Sequence, residues 1–157
     1  MAKDKDGESY YRELAGNCRI EGIKTILTML ANEEVKHFNI LVQMQKQAGN
    51  IPLGETTILE NVKNVFIGMK GDKANFCFDS SDIDAYRKAM AIEEMSLKFY
   101  QDKAAVTEDQ EEKQIFLSLA SEERKHFRIM ENIVEFVVRP EPGNWLENAE
   151  WYHLDEY

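Results

Sequence analysis

Leu30-Ala31-Asn32-Glu33-Glu34-Val35-Lys36-His37-Phe38 and Leu119-Ala120-Ser121-Glu122-Glu123-Arg124-Lys125-His126-Phe127 are two versions of one phrase, set 89 positions apart. Moving outward at the same offset, with no gap, Ile40 meets Ile129, Ile26 meets Ile115 and Lys24 meets Lys113. Further upstream Ala15 meets Ala104, Tyr11 meets Tyr100 and Ala2 meets Ala91. An ungapped internal repeat of this kind marks a duplicated supersecondary unit. Its apolar residues recur at helical rather than strand spacing, so the unit reads as a helical hairpin.

The second copy shows the hairpin most clearly. Ser81 and Asp82 are N-cap candidates, and Ile83, Met90, Leu97 and Tyr100 follow at helical intervals, which predicts a helix over about residues 82 to 105. Thr107, followed by Glu108, Asp109 and Gln110, has the form of a capping box opening the next helix. Ile115, Phe116, Leu119, Phe127, Met130, Ile133 and Val137 form its apolar stripe, and Pro140 stops it near Val138. By the repeat, the first copy has helices over about 3 to 17 and 20 to 47, with Gly49 ending the second. Between the copies, Gly49 to Ser80 is too long for a tight turn and suits a crossover along a bundle. Ile58, Val62, Val65, Phe66 and Met69 predict a short amphipathic helix inside it. The expected fold is all-α: a four-helix bundle of two duplicated hairpins, spanning residues 1–139. The remaining residues, 140–157, carry Trp145, Leu146, Trp151, Tyr152, Leu154 and Tyr157, too apolar for a solvated tail, and are expected to pack on the bundle or on a second subunit.

Composition narrows the function. The 157 residues suit one sizeable core, and no uncharged apolar run approaches the roughly 18 residues of a membrane span. With no apolar stretch behind Met1, the chain is expected to be soluble and cytoplasmic. A net charge of −10, spread along the chain, argues against nucleic acid and anionic membrane surfaces as partners. Cys18 and Cys77 are isolated from each other and form no Cys-x-x-Cys pair, so they read as reduced thiols rather than a zinc or rubredoxin-type site.

Chemistry concentrates in the repeated phrase. Residues three apart on a helix share a face, with about 5 to 6 Å between Cβ atoms, so Glu34 with His37 and Glu123 with His126 can each grip one metal ion. A lone Glu-x-x-His is weak evidence; two at equivalent positions of a duplicated hairpin are strong. Carboxylate comes as well from the shorter helices. In the third helix Glu93 shares a face with Tyr100, two turns on, whereas Glu94 points nearer to Leu97 and Lys98. Glu94, Glu33 and Glu122 read as solvated carboxylates or as groups standing behind the ligands.

On Ala91-Ile92-Glu93-Glu94-Met95-Ser96-Leu97-Lys98-Phe99-Tyr100, Leu119 to His126, Tyr10-Tyr11 and Leu30 to His37, the chain resembles the rubrerythrin and ferritin-like di-iron carboxylate family across residues 1 to 139. That family's pattern is a Glu from each of two helices and a Glu-x-x-His from each of the others. The resemblance implies a ferritin-like bundle with a long crossover and two iron ions, or manganese in their place. It also implies Glu34, His37, Glu93, Glu123 and His126 as metal ligands. The repeat partner of Glu93 is Asp4, shorter than the family's glutamate by one methylene; Glu8, one turn on, is the substitute candidate. Where rubrerythrins typically carry a further glutamate, three residues after the third-helix ligand, this chain has Ser96. Tyr11 and Tyr100, two turns from the expected carboxylates, are candidates to hydrogen-bond a ligand or relay an electron, or simply to fill the core. His153 reads as structural or exposed.

The leading expectation is an oxidoreductase reducing hydrogen peroxide or dioxygen at a binuclear centre. Without a Cys-x-x-Cys pair its electrons come from an external donor protein such as a rubredoxin, and a homodimer is the expected assembly. An iron-handling ferroxidase or carrier is the first alternative. A non-enzymatic bundle with a weakened site, serving a partner through its aromatic tail, is the second.

Overall fold

The computed structural model describes residues 2–46, 56–69 and 80–138, with side chains described for 7–46, 56–69 and 82–137. Five helices follow in order: α1 (Ala2–Asn17), α2 (Glu21–Gln45), α3 (Ile58–Gly68), α4 (Ser80–Val106) and α5 (Gln110–Val138). Among the described residues there is no strand, and no helix is long and apolar enough to cross a membrane. The expected aromatic tail, His153 and Cys77 lie outside the described residues.

The two hairpins are the repeat made visible. α1 packs along α2, and α4 along α5; α1 against α4 and α2 against α5 then join the halves, while α3 lies over α2 and α5. Glu34 faces His126 and His37 faces Glu123, so α2 and α5 run antiparallel about a local pseudo-two-fold axis that exchanges the copies. The result is the all-α ferritin-like bundle, with α3 as the helix of the crossover.

Two ends of the bundle bury apolar side chains on either side of a charged middle. The larger cluster gathers Tyr11, Ile26, Leu27 and Leu30 with Ile129, Met130 and Ile133, and is roofed by Ile58, Val62 and Phe66 of α3. The smaller consists of Leu41, Tyr100, Ile115, Leu119 and Ala120, each a repeat mate of a residue in the larger one. Burying an aliphatic or aromatic side chain contributes roughly 1.5–3 kcal/mol, so these clusters supply the stability against which the polar middle is held.

Two end signals fall differently from their sequence reading. Thr107 does not cap α5: its N–H is taken by Lys103 O at 3.2 Å, which finishes α4. Asp109 opens α5 instead, its Oδ1 accepting from the N–H groups of Glu111 (2.9 Å) and Glu112 (3.4 Å). Thr107 keeps a part of the box by donating to Glu112 Oε2 at 3.1 Å. Ser81 and Asp82 lie inside α4, which begins at Ser80, so Asp82 acts on the helix dipole from the first turn rather than as a cap. At the other end, α5 stops at Val138, where Pro140 disfavours helical geometry for the residue before it.

The roof depends on one glycine. A Cβ on Gly22 would lie 2.2 Å from Sδ and 2.4 Å from Cγ of the buried Met69, whereas one on Gly16 would meet nothing within 4 Å. Gly22→Ala is therefore expected to destabilise the protein by about 1–3 kcal/mol through overpacking, in spite of the better helix propensity of alanine. Gly16→Ala should be neutral or raise stability, by up to about 1 kcal/mol. Urea denaturation of both variants checks the pair; a stabilised Gly22→Ala protein would remove the close packing of α3 on α2.

Candidate metal centre

Four ligand atoms converge at the centre of the bundle. Glu34 of α2, Glu93 of α4, and Glu123 and His126 of α5 present atoms that all lie within 4.8 Å of one another, and all four residues are buried. Each is there for a local reason. Glu34 and His37 lie one turn apart on the inward face of α2, continuing the stripe of Ile23, Ile26, Leu27 and Leu30. Glu123 and His126 repeat that arrangement on α5 beside Leu119 and Met130. Glu93 is 1% exposed on α4, on the face of Ala89 and Tyr100, while Glu94 is turned to solvent.

His126 is the hub of this group. Its Nδ1 lies 3.4 Å from Glu34 Oε1, 3.7 Å from Glu93 Oε2 and 3.9 Å from Glu123 Oε2. His37 stacks on it, ring centroids 5.4 Å apart and planes 10° from parallel. Both nitrogens of His37 meet carboxylates: Nδ1 is 2.7 Å from Glu123 Oε1 and Nε2 is 3.1 Å from Glu122 Oε1. Tyr11 donates its buried hydroxyl to Glu93 Oε1. Tyr100 sets its ring edge-on to His37, centroids 6.5 Å apart.

Other candidates fall elsewhere. Glu8 is turned away into an exposed ion pair with Arg12 at 2.7 Å, so it does not join the group. Ser96 is buried at its expected place on α4. Asp4 belongs to α1, but its side chain lies outside the described residues. Glu33 is buried rather than solvated: it accepts a hydrogen bond from Thr56 Oγ1 on the crossover, and Lys36 Nζ stands 3.6 Å from its other oxygen. No helical periodicity announced that contact, because Thr56 is distant in sequence and its loop has no regular pattern.

Charge is heavily strained in this layer. Burial, added to the nearness of Glu93, pushes the Glu34 carboxyl up to about 7. Burial likewise pushes Glu93 upward, yet hydrogen bonding with Glu123 and the approach of His126 outweigh it and hold Glu93 at about 2. Burial opposes the charging of His126, but Glu34 and Glu93 overcome this and raise it to about 10. The Tyr11 phenol is held well above its usual range by burial and by Glu93.

The residues fit a metal. Glu93 Oε2 and both ring nitrogens of His126 are buried without a hydrogen-bond partner among the described residues, an expense that native interiors rarely tolerate. A divalent cation would answer Glu93 Oε2 and one ring nitrogen of His126 together, and would supply the positive charge the carboxylates need. Carboxylates with imidazole and no thiolate suit iron or manganese, since structural zinc usually recruits cysteine.

The family model described as Rubrerythrin matches residues 1–134. No curated protein and no solved structure matches.

Protons and a metal ion would compete for these side chains, and the signs follow from the shifts. For the metal-free protein, the raised Glu34 pKa gives stability that is complete below about 4.5 and lost as pH rises through about 7. That of His126 is complete below 6.5 and lost as pH rises through about 10. Metal-free protein should therefore lose thermal stability between about pH 5 and pH 10, and metal binding at about pH 7 should release about one to two protons. Calorimetric titration in buffers of different ionisation enthalpy measures the release; none at all would contradict the protonated, metal-free centre.

Proposed function

Since the chain belongs to the rubrerythrin family, we propose that it binds two iron ions in the middle of the bundle and reduces hydrogen peroxide or dioxygen there. The observation that carries this reading is the convergence of Glu34, Glu93, Glu123 and His126 in one buried layer, with His37 stacked beside them. When bound, a reduced metal pair supplies the two electrons that peroxide reduction consumes. The protein's share is to hold that pair in a dry site and to manage charge around it.

Glu93, Glu123 and His126 form one half of the ligand set; Asp4, Glu34 and His37 form the other. Support for Asp4 comes from the repeat, in which Tyr11 stands to Glu93 as Tyr100 stands to Asp4. The rival carboxylate, Glu8, is engaged by Arg12. Tyr11 steadies Glu93 by donating to it, and so keeps its carboxylate oriented as charge in the centre changes. Neither Cys18 nor Cys77 belongs to a Cys-x-x-Cys pair, so the proposed electron donor lies outside these 157 residues, and a rubredoxin has suitable chemistry.

Iron analysis and stopped-flow mixing test this together. Anaerobically loaded protein should hold about two irons per chain, and Glu34→Ala and Glu123→Ala should each lose at least half of them. The ferrous protein should reoxidise markedly faster on mixing with hydrogen peroxide than with buffer. Equal rates in the two mixes would rule out peroxide reduction; iron content below about one ion per two chains would rule out the di-iron centre.

A further inference from the structure

The repeat makes Glu33 and Glu122 equivalent, yet the two carboxylates have different partners. Glu122 Oε1 lies 3.1 Å from Nε2 of His37, the histidine of the opposite hairpin. By the same pseudo-symmetry Glu33 would serve Nε2 of His126. It does not: Glu33 accepts from Thr56, whose hydroxyl also accepts the N–H of Ile58 at 3.1 Å and so ties Glu33 to the start of α3. Nε2 of His126 is left without a hydrogen-bond partner among the described residues.

A histidine that ligates metal through one nitrogen generally donates its other N–H to a carboxylate or carbonyl, which fixes the ring, selects the tautomer and strengthens the ligand. Of the two histidines in this centre, one has that support among the described residues. From this contrast we infer that Glu122 is a positioning residue for His37, that Glu33 has been diverted to fasten the crossover, and that the two metal positions are consequently unequal. The position served by His37 binds more tightly and fills first. This inference rests on the two-metal reading above and adds the order of filling and the residue that sets it.

The geometry supports the division of labour. Glu122 is a little exposed, 12% for its side chain, so it can remain charged while holding the fully buried His37. Glu33 lies near the N-terminus of α3, where a negative charge is favoured by the helix dipole. The unequal fate of the pair therefore follows from Thr56, a residue outside the repeat that meets Glu33 and, among the described residues, has no counterpart at Glu122.

Two measurements on the full chain decide the matter. The first is stepwise titration with cobalt(II), followed by its visible absorption, on the wild-type protein and on Glu122→Ala, Glu122→Gln and Glu33→Ala. Glu122→Ala should weaken the tighter of two steps about 10–100-fold. Glu122→Gln, which keeps an acceptor for Nε2–H, should recover most of that loss. Glu33→Ala should leave both steps within about threefold of wild type, the scale of ordinary mutational context effects, while making α3 easier for a protease to cut. Equal weakening by Glu33→Ala and Glu122→Ala, or none by Glu122→Ala, would overturn the inference.

The second is nitrogen NMR of histidine-labelled, metal-free protein. Here His37 Nε2 should show a protected proton that disappears in Glu122→Ala and persists in Glu33→Ala. An unprotected Nε2 in the wild type, or a proton that persists in Glu122→Ala, also overturns it. Should wild-type protein take up no cobalt, the two-metal reading fails, and the NMR result still establishes whether Glu122 holds His37.

Discussion

Carboxylates withdrawn from water set the terms for everything around them. Glu34, Glu93 and Glu123 meet within 4.8 Å of a common histidine in a layer almost closed to solvent. Taking such groups from water costs several kcal/mol each unless charge of the opposite sign is close. Packing alone cannot offset this, because no arrangement of Leu30 or Met130 solvates an anion. The bundle answers in two ways. Apolar clusters above and below the layer supply free energy from burial, and protonation or metal binding neutralises the layer. Protonation reaches only part of the way, since it leaves Glu93 Oε2 and both nitrogens of His126 without hydrogen bonds among the described residues. A layer built so would be more stable with cations than without, which would couple folding to metal binding.

Much of this was readable in the sequence, and the reason is periodicity. A helix puts i and i+3 on one face whatever the rest of the protein does, so Glu34 with His37 and Glu123 with His126 needed only the repeat to bring them to one level. The choice of Glu93 over Glu94 rested on the same regularity: neighbours differ by about 100°, and Glu93 is buried while Glu94 is solvated. What escaped depended on contacts between segments. Glu33 looked like Glu122 because their local surroundings are alike; only Thr56, from outside the repeat, distinguishes them. The α5 cap escaped for a related reason. Thr107 and Asp109 both carry competent side chains, and the decision fell to α4, whose last turn takes the N–H of Thr107.

Duplication explains why a charged centre can arise at all in so small a bundle. A hairpin carrying one Glu-x-x-His has an inward polar face that no apolar partner covers well. Two such hairpins related by a two-fold axis cover each other, with Glu34 opposite His126 and His37 opposite Glu123. Each copy thus supplies the counter-charge of the other. The same operation places Tyr11 and Tyr100 at equivalent positions, one at each edge of the layer, and both are almost fully buried. The Tyr11 phenol adds a donor where a carboxylate needs one, in its bond to Glu93.

A perfect two-fold cannot survive, however, because one chain must connect its halves. Among the described residues, helix α3 of the crossover packs on the cluster of Ile26, Leu30 and Ile133 and not on the one at the other end. Two positions near the roof differ from their repeat mates on its account: Gly22 must stay small beneath Met69, and Glu33 is drawn toward Thr56. The latter reaches the chemistry, because Glu33 is adjacent to Glu34 and is the mate of the residue that supports His37. Connectivity, rather than any change in the ligands themselves, thereby gives the two histidines different surroundings. Were each copy to hold a metal ion, the two positions need not share an affinity or a potential, and the asymmetry would begin at Thr56, outside the repeat.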